Sequence, residues 1–264
     1  MNKVSEIISC ITDFADLGLQ ESWDNSGILV GDCNMLVDKA LITLDVTEEV
    51  IDEAVSKGFH LVISHHPVIY KPLKRLLTEN TVQRVIMKAI KNDVTIACMH
   101  TNLDNSSAGV SMALAKRLGI KEMSVLEPVR DDAGIVSGAG MIGCLENAMD
   151  ETDFLMMVKN SLGTKALRHS HLLGKKIKRV AVCGGSGFFL LNRSKECAAD
   201  AFVTADVKYH DFFEADGNIL LVDAGHYETE QFTKEIIADA ILKKFSNFAV
   251  SISNVNTNSI NYFV

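Results

Sequence analysis

KALITLDVTEEVIDEAVSKGFHLVISHHP, residues 39–67, decides the fold. Lys39–Leu44 is an apolar run of strand length, and Asp45-Val46-Thr47 is the turn that ends it. Thr47 followed by Glu48 and Glu49 reads as a helix N-terminus, a hydroxyl cap with acids in the first turn. That helix runs to about Lys57 and stops at Gly58, and Phe59–Ser64 is the next strand. Strand, helix and strand in so short a space make a βαβ unit, with a right-handed crossover expected. The apolar runs lack clean alternation, as in a parallel sheet covered on both faces. His65-His66-Pro67 then delivers two imidazoles where the strand stops, because Pro67 cannot continue the pairing.

Two other stretches repeat the form of an apolar run followed by ligand-type residues. Val94–Met99 leads into His100-Thr101-Asn102-Leu103-Asp104, and Ile219–Val222 leads into Gly225-His226-Tyr227-Glu228-Thr229-Glu230. Around them the sequence predicts helices over 2–18, 81–91, 107–118, 152–161 and 228–244. Further strands are expected at Ile28–Gly31, Val125–Val129, Gly134–Val136, Ala139–Leu145, Val180–Cys183, Ala201–Thr204 and Phe248–Ser253. Each half shows a series of strands with polar tips: Asp45–Thr47, Ser64–Pro67 and His100–Asp104 in the first, Gly184–Gly187, Asp206–His210 and Gly225–Glu230 in the second. This weak repeat of organisation gives an α/β fold of two similar lobes, 1–125 and 126–264. The glycine-rich stretch 121–175 reads as an excursion or inserted subdomain, and 176–264 as the core of the second lobe. Ligands gather outside the carboxyl ends of parallel strands in such folds.

The chain has 264 residues, 47% of them hydrophobic, and a net charge of -8. Its length allows one large or two modest domains. The acidic balance argues against nucleic acid as a partner, though a local basic patch would still bind phosphate. The run Gly163–Arg179 contains no acid and carries Lys165, Arg168, His169, His171, Lys175, Lys176, Lys178 and Arg179. It reads either as a solvated face or as a phosphate-binding rim. Six scattered cysteines without a CxxC pair fit free thiols in a reducing, cytoplasmic setting. No signal peptide or membrane span is evident.

His65 and His66 are neighbours, so they more naturally contact different metal ions than chelate one. Asp104 offers a hard oxygen able to bridge two ions, and His226 and Glu230 share one side of a helical turn. Three imidazoles and two carboxylates suit Zn, Fe, Mn, Co or Ni better than Ca. His100 is a candidate for orienting Asp104 or contacting substrate, and His210 and Lys208 for moving protons or meeting substrate charge. The turn Gly184–Gly187 would offer backbone N–H groups to an anion, although it is no P-loop. Trp23, in the loop Glu21–Gly27, reads either as a packing anchor or as the mark of a loop that brings Asp24 and Asn25 to the site.

The sequence resembles the NIF3-like family, often labelled GTP cyclohydrolase 1 type 2 homologues or dinuclear metal centre proteins, along essentially its whole length. The matching stretches are Glu21-Ser22-Trp23-Asp24-Asn25, Leu29-Val30-Gly31, Ser64-His65-His66-Pro67, Lys71-Pro72-Leu73-Lys74, His100–Asp104, Gly184–Gly187, Asp206–His210 and Gly225-His226 with Thr229-Glu230. The resemblance implies two α/β lobes with a dinuclear metal site between them and two divalent ions per subunit on His65, His66, Asp104, His226 and Glu230. It further implies a homohexamer, a trimer of dimers, in the compact form without an inserted middle domain. Met141 stands where the family commonly has arginine. The implied activity is metal-dependent hydrolysis of a nucleotide or other phosphorylated small molecule. The alternatives are a metal-handling or regulatory ring without catalysis, and a ring that binds nucleic acid.

Overall fold

The computed structural model describes residues 1–130 and 136–263. The expected strand Gly134–Val136 therefore lies largely outside the described residues. Backbone contacts divide the chain into two units, Met1–Leu103 with Thr233–Ser259, and Asp104–Phe232 with Ile260–Val264.

The first unit begins with β1 (Asn2–Lys3), α1 (Val4–Thr12), β2 (Gly27–Val30), β3 (Leu36–Val37), β4 (Lys39–Thr43), α2 (Glu48–Ser56), β5 (Leu61–Ser64), α3 (Thr81–Lys91) and β6 (Thr95–Cys98), and α4 (Thr101–Asp104) follows. The second holds α5 (Val110–Arg117), β7 (Lys121–Arg130), β8 (Val136–Asp150), α6 (Glu151–Leu162), β9 (Arg168–His169), β10 (Lys176–Val182), α7 (Leu191–Glu196), β11 (Ala201–Thr204), β12 (Leu220–Asp223) and α8 (His226–Glu230). The chain then returns to the first unit as α9 (Thr233–Lys244) and β13 (Ala249–Ile252).

The sheet of the first unit has the order β13-β4-β5-β6-β2, with β13, β4, β5 and β6 parallel and β2 antiparallel at the edge. The βαβ unit forms as its residues dictate. Thr47 Oγ1 accepts from the Val50 N–H at 3.3 Å and caps α2, and Gly58 closes the turn after it at φ +68°. Every residue of β5 and β6 is buried, as expected for a sheet covered on both faces. Leu41, Val62 and Ile96 pack with Val50, Ile51, Ala54, Val85, Ile86 and Ala89 of α2 and α3. Each buried Val, Leu or Ile here contributes about 1.5–3 kcal/mol through the water it leaves.

The sheet of the second unit has the order β7-β8-β10-β11-β12-β9. Strands β10, β11 and β12 are parallel, and β7, β8 and β9 are antiparallel to their neighbours. Alternate residues serve opposite faces. Val180, Val182, Ala201, Val203, Leu220 and Val222 meet Leu114, Phe154 and Val158, whereas Ala181, Phe202 and Leu221 meet Leu190 and Leu191. The repeat is visible strand by strand. In each unit an antiparallel strand that comes first in sequence, β2 or β9, lies beside the third of three consecutive parallel strands.

Four expectations change. The division at 125/126 differs from the observed units because β13 pairs with β4, which draws the C-terminal segment back to the first unit. The stretch 121–175 is no separate subdomain: β7 and β8 extend the main sheet, with Met141 buried in the core opposite Val182. The single helix expected over 228–244 is two helices, and the break at Gln231–Phe232 falls where the chain passes from one unit to the other. Phe232 packs in the second unit's core, with Arg117 over its ring at 4.0 Å. Helix α1 is also shorter than expected, because the Asp16 carboxylate takes the Gly18 N–H at 2.6 Å and turns the chain.

Candidate metal centre

In the first unit the carboxyl ends of β4, β5 and β6 carry Asp45, His65-His66 and His100. Parallel neighbours at one sheet edge bring these side chains together. The ring centroids of His65 and His66 are 4.9 Å apart, and that of His100 lies 5.4 Å from His65 and 5.6 Å from His66. Each imidazole is held through Nδ1. His65, fully buried, bonds the Met99 carbonyl of the next strand at 2.7 Å. His66 bonds Asp45 Oδ1 at 2.7 Å, and Thr257 Oγ1 donates to the other oxygen of that carboxylate at 2.8 Å. His100 bonds Asp24 Oδ1 at 2.7 Å. A carbonyl or carboxylate only accepts, so each Nδ1 carries the proton and each Nε2 presents its lone pair. This is how metal-binding histidines are oriented.

Asp24 is the most buried of the supporting carboxylates. Its carboxylate has no exposed surface and accepts from the Thr101 N–H and hydroxyl as well as from His100. Burial alone would raise its pKa, but the bonds from His100 and Thr101 overcome that and hold it far below the usual carboxylate range. Trp23 is 55% exposed, edge-on to His100 at 6.1 Å and to Tyr70 at 6.0 Å. The packing-anchor reading of Trp23 therefore gives way to the one that brings Asp24 to the histidines.

In the second unit His226, opening α8, bonds Asp206 Oδ2 through Nδ1 at 2.8 Å and faces Glu230 Oε2 through Nε2 at 2.9 Å. Burial lowers its affinity for a proton, yet the two carboxylates prevail and push its pKa up to about 11. Glu230 is buried against the turn Gly184-Gly185. Gly185 sits at φ +61°, and a Cβ there would overlap Glu230 Oε1. The N–H groups of Gly184, Gly185 and Gly187 donate to the hydroxyls of Ser111, Thr229 and Thr204. The expected anion loop is thus a cradle for a carboxylate, its donors taken by side chains. Cys183 beneath it has its pKa pushed up to about 12, first by burial, then by the charges of Asp104 and Glu230.

His65, His66 and Glu230 each offer a ligand atom and as a group could hold a metal ion. Lys208 and His210 stand apart. Both are exposed, the Lys208 N–H donates to Asp211, and His210 lies against Tyr209 and Phe213. Among the described residues neither bonds to Asp104, His226 or Glu230. A half-open cavity of about 650 Å³ lies beside them, lined by His169, His171, Tyr209, Phe212 and Phe213 among others. The basic run is largely occupied. Arg168 pairs with Asp223, Lys175 with Asp200, Lys176 with Asp150, and Lys178 and Arg179 donate to the carbonyls of Glu146 and Cys197. Asp45 and Asp206 are the supports that sequence reasoning passed over, although each stands at a strand tip where such a partner is wanted.

Two α/β units, each presenting imidazole or carboxylate groups at the ends of parallel strands, define the class of α/β protein to which the chain belongs, one whose His and Glu side chains could hold a metal ion. The Duf34/NIF3 (NGG1p interacting factor 3) family model matches residues 2–259, and the chain belongs to that family. It is 36% identical over 233 residues to the Clostridium perfringens GTP cyclohydrolase 1 type 2 homolog, covering 86% of this chain and 87% of that protein. The Campylobacter jejuni protein of the same name is 32% identical over 266 residues, 99% of this chain and all of the other. The crystal structure of a Bacillus cereus protein related to NIF3 superposes with a TM-score of 0.93 at 26% identity, covering 100% of this chain and 99% of that one. A Staphylococcus aureus protein gives 0.90 at 30% identity, with 99% of both chains covered. Among the described residues no helix is long and apolar enough to cross a membrane.

Proposed function

We propose that His65, His66, Asp104, His226 and Glu230 hold two divalent metal ions, and that the protein is a metal-dependent hydrolase of a nucleotide or other phosphorylated small molecule. The observation that carries the reading is the Nδ1 support of His65, His66 and His226 by Met99, Asp45 and Asp206. Imidazoles fixed by an outer partner, beside carboxylates, make a donor set for Zn, Fe, Mn, Co or Ni. The name of the Clostridium and Campylobacter relatives supports a nucleotide as substrate.

Bound there, a pair of such ions supplies Lewis-acid polarisation and neutralises developing negative charge. The chain's own residues do the rest. Asp45 and Asp206 orient His66 and His226 through Nδ1. Gly185 lets Glu230 lie close to the turn. His100, held by Asp24 through Nδ1, keeps Nε2 as the nitrogen that can take a proton from a substrate oxygen or return one. Lys208 and His210, both exposed, are assigned to substrate charge and proton transfer.

Metal analysis of wild type, Glu230→Gln and His65→Ala, followed by a screen of nucleotides and phosphoesters with each metal restored, tests the reading. Wild type should retain two ions per chain, both variants should lose metal, and turnover should fall with it. Full occupancy and activity in both variants would remove the assignment. Full occupancy in wild type without turnover on any substrate would favour metal handling instead.

A further inference from the structure

We infer that Trp23, Tyr70 and the basic segment Lys71–Arg75 form the element that recognises the substrate, a planar heteroaromatic base carrying a polyphosphate; this rests on the nucleotide reading above. Between His65-His66-Pro67 and α3 lie thirteen residues, 68–80, with neither helix nor strand. Ordered connections of that length are commonly functional. It is tied down at both ends. Asn25 Nδ2 donates to the Ile69 carbonyl at 2.7 Å, and Gln83 Oε1 accepts from the Leu77 N–H at 2.9 Å. Everything between Tyr70 and Asn80 is exposed.

Its composition is selective. Lys71, Lys74 and Arg75 face a single acid in the segment, Glu79. Among the described residues none of these three cations makes an ion pair, in contrast to the basic run near 175. Unpaired cations on a fixed strap suit phosphate oxygens. Trp23 and Tyr70 are 55% and 52% exposed and meet each other edge-on, with Trp23 also edge-on to His100. Two aromatic side chains half open to water beside an imidazole cluster are poorly explained by packing, and their faces suit a base. Lys71 adjoins Tyr70 in the chain, so ring and phosphate contacts lie within one nucleotide's reach.

Trp23 is the chain's sole tryptophan, so its fluorescence reports the element directly. The full-length, metal-loaded protein is titrated with GTP, guanosine and inorganic tripolyphosphate, with calorimetry in parallel. GTP and guanosine should quench Trp23 saturably, and tripolyphosphate should compete with GTP. The triple variant Lys71→Ala/Lys74→Ala/Arg75→Ala should weaken GTP on the order of tenfold to a hundredfold and leave guanosine within about twofold. Tyr70→Ala should weaken both by about fivefold or more. Circular dichroism and metal content should not change, since all four residues are exposed. GTP bound equally well by wild type and the triple variant would overturn the inference and leave the nucleotide reading standing. No binding of GTP or guanosine by fully metal-loaded wild type would overturn the nucleotide reading itself. A variant that changes oligomeric mass by light scattering with GTP affinity intact would make the segment an interface and also overturn the inference.

Discussion

Asp24 and His100 are 76 residues apart in the chain and joined by a 2.7 Å bond from Nδ1 to Oδ1, with the carboxylate wholly out of water. The bond links the Trp23 loop to the end of β6. It fixes the neutral histidine in the one tautomer a carboxylate partner permits, with its ring centroid 5.4 Å from that of His65 and 5.6 Å from that of His66. His100 thereby has the same support as the imidazoles of the proposed metal site.

The ionised carboxylate is the part that matters. Asp24→Asn keeps the shape and loses the charge, so the variant should unfold with about 2 kcal/mol or more less stability at neutral pH. The sign of the pH dependence follows from the lowered pKa of Asp24. Its contribution is complete above the unfolded value near 4 and is lost as pH falls below it, since the unfolded chain then binds a proton that the folded chain resists. Urea midpoints of wild type and variant should differ at pH 7 and converge toward pH 3. A gap of the same size at both pH values would contradict this account.

Gly185 gives a test that separates backbone strain from crowding. Gly185 and Gly217 have nearly the same left-handed backbone, φ +61° and +66°, but a Cβ at 185 meets Glu230 and one at 217 meets nothing within 4 Å. Gly217→Ala should cost about 1 kcal/mol in thermal unfolding and leave metal content unchanged. Gly185→Ala should cost about 2–4 kcal/mol and reduce bound metal, because Glu230 has to move. Equal losses in the two variants would make the cradle irrelevant.

The parallel strands were legible because each is a short apolar run closed by a turn signal, and Ala201–Thr204 and the helix Thr81–Lys91 have the bounds the pattern gives. The halves of the candidate site were legible for the same reason, since strand tips carry the polar residues. What local pattern could not reveal depends on pairing at a distance. Nothing near Ala249 tells that β13 pairs with β4, some 210 residues earlier in the chain. Nothing near Asp24 tells that His100 will reach it. The glycines of 184–187 signalled a tight turn. Their second role, close approach to Glu230, needs the fold.

Burial sorts the six thiols. Cys98 and Cys183 have their pKa pushed up to about 12, burial being the largest cause in both. Cys33 is exposed. In native protein at pH 8 a maleimide should modify Cys33 promptly and spare Cys98 and Cys183 until denaturant is added, as peptide mass mapping would show. The same shifts set the alkaline limb. From about pH 8.5 to 12 an unfolded chain has released these protons while the folded one keeps them, so stability falls as pH rises. Cys98→Ala should flatten that limb. Rapid native labelling of Cys98 would refute the burial argument.

Arg168 decides between the two readings of the basic run. Its guanidinium pairs with Asp223 and donates to the Val207 carbonyl at 2.8 Å. Asp223 is buried and also accepts from the N–H groups of Val207 and Gly225 at 3.0 and 3.1 Å. The arginine's work is therefore structural, holding a buried acid at the end of β12. Arg168→Ala should cost about 1–2 kcal/mol, less than a fully buried pair would because the guanidinium is largely exposed. Asp223→Asn in the same chain should restore part of the loss, since no buried charge is then left without a cation. Lys176→Ala/Lys178→Ala should leave GTP affinity within about twofold, as Lys176 faces Asp150 and Lys178 a carbonyl. A loss of GTP affinity in that double variant, with its stability unchanged, would return the run to the role of a phosphate-binding rim.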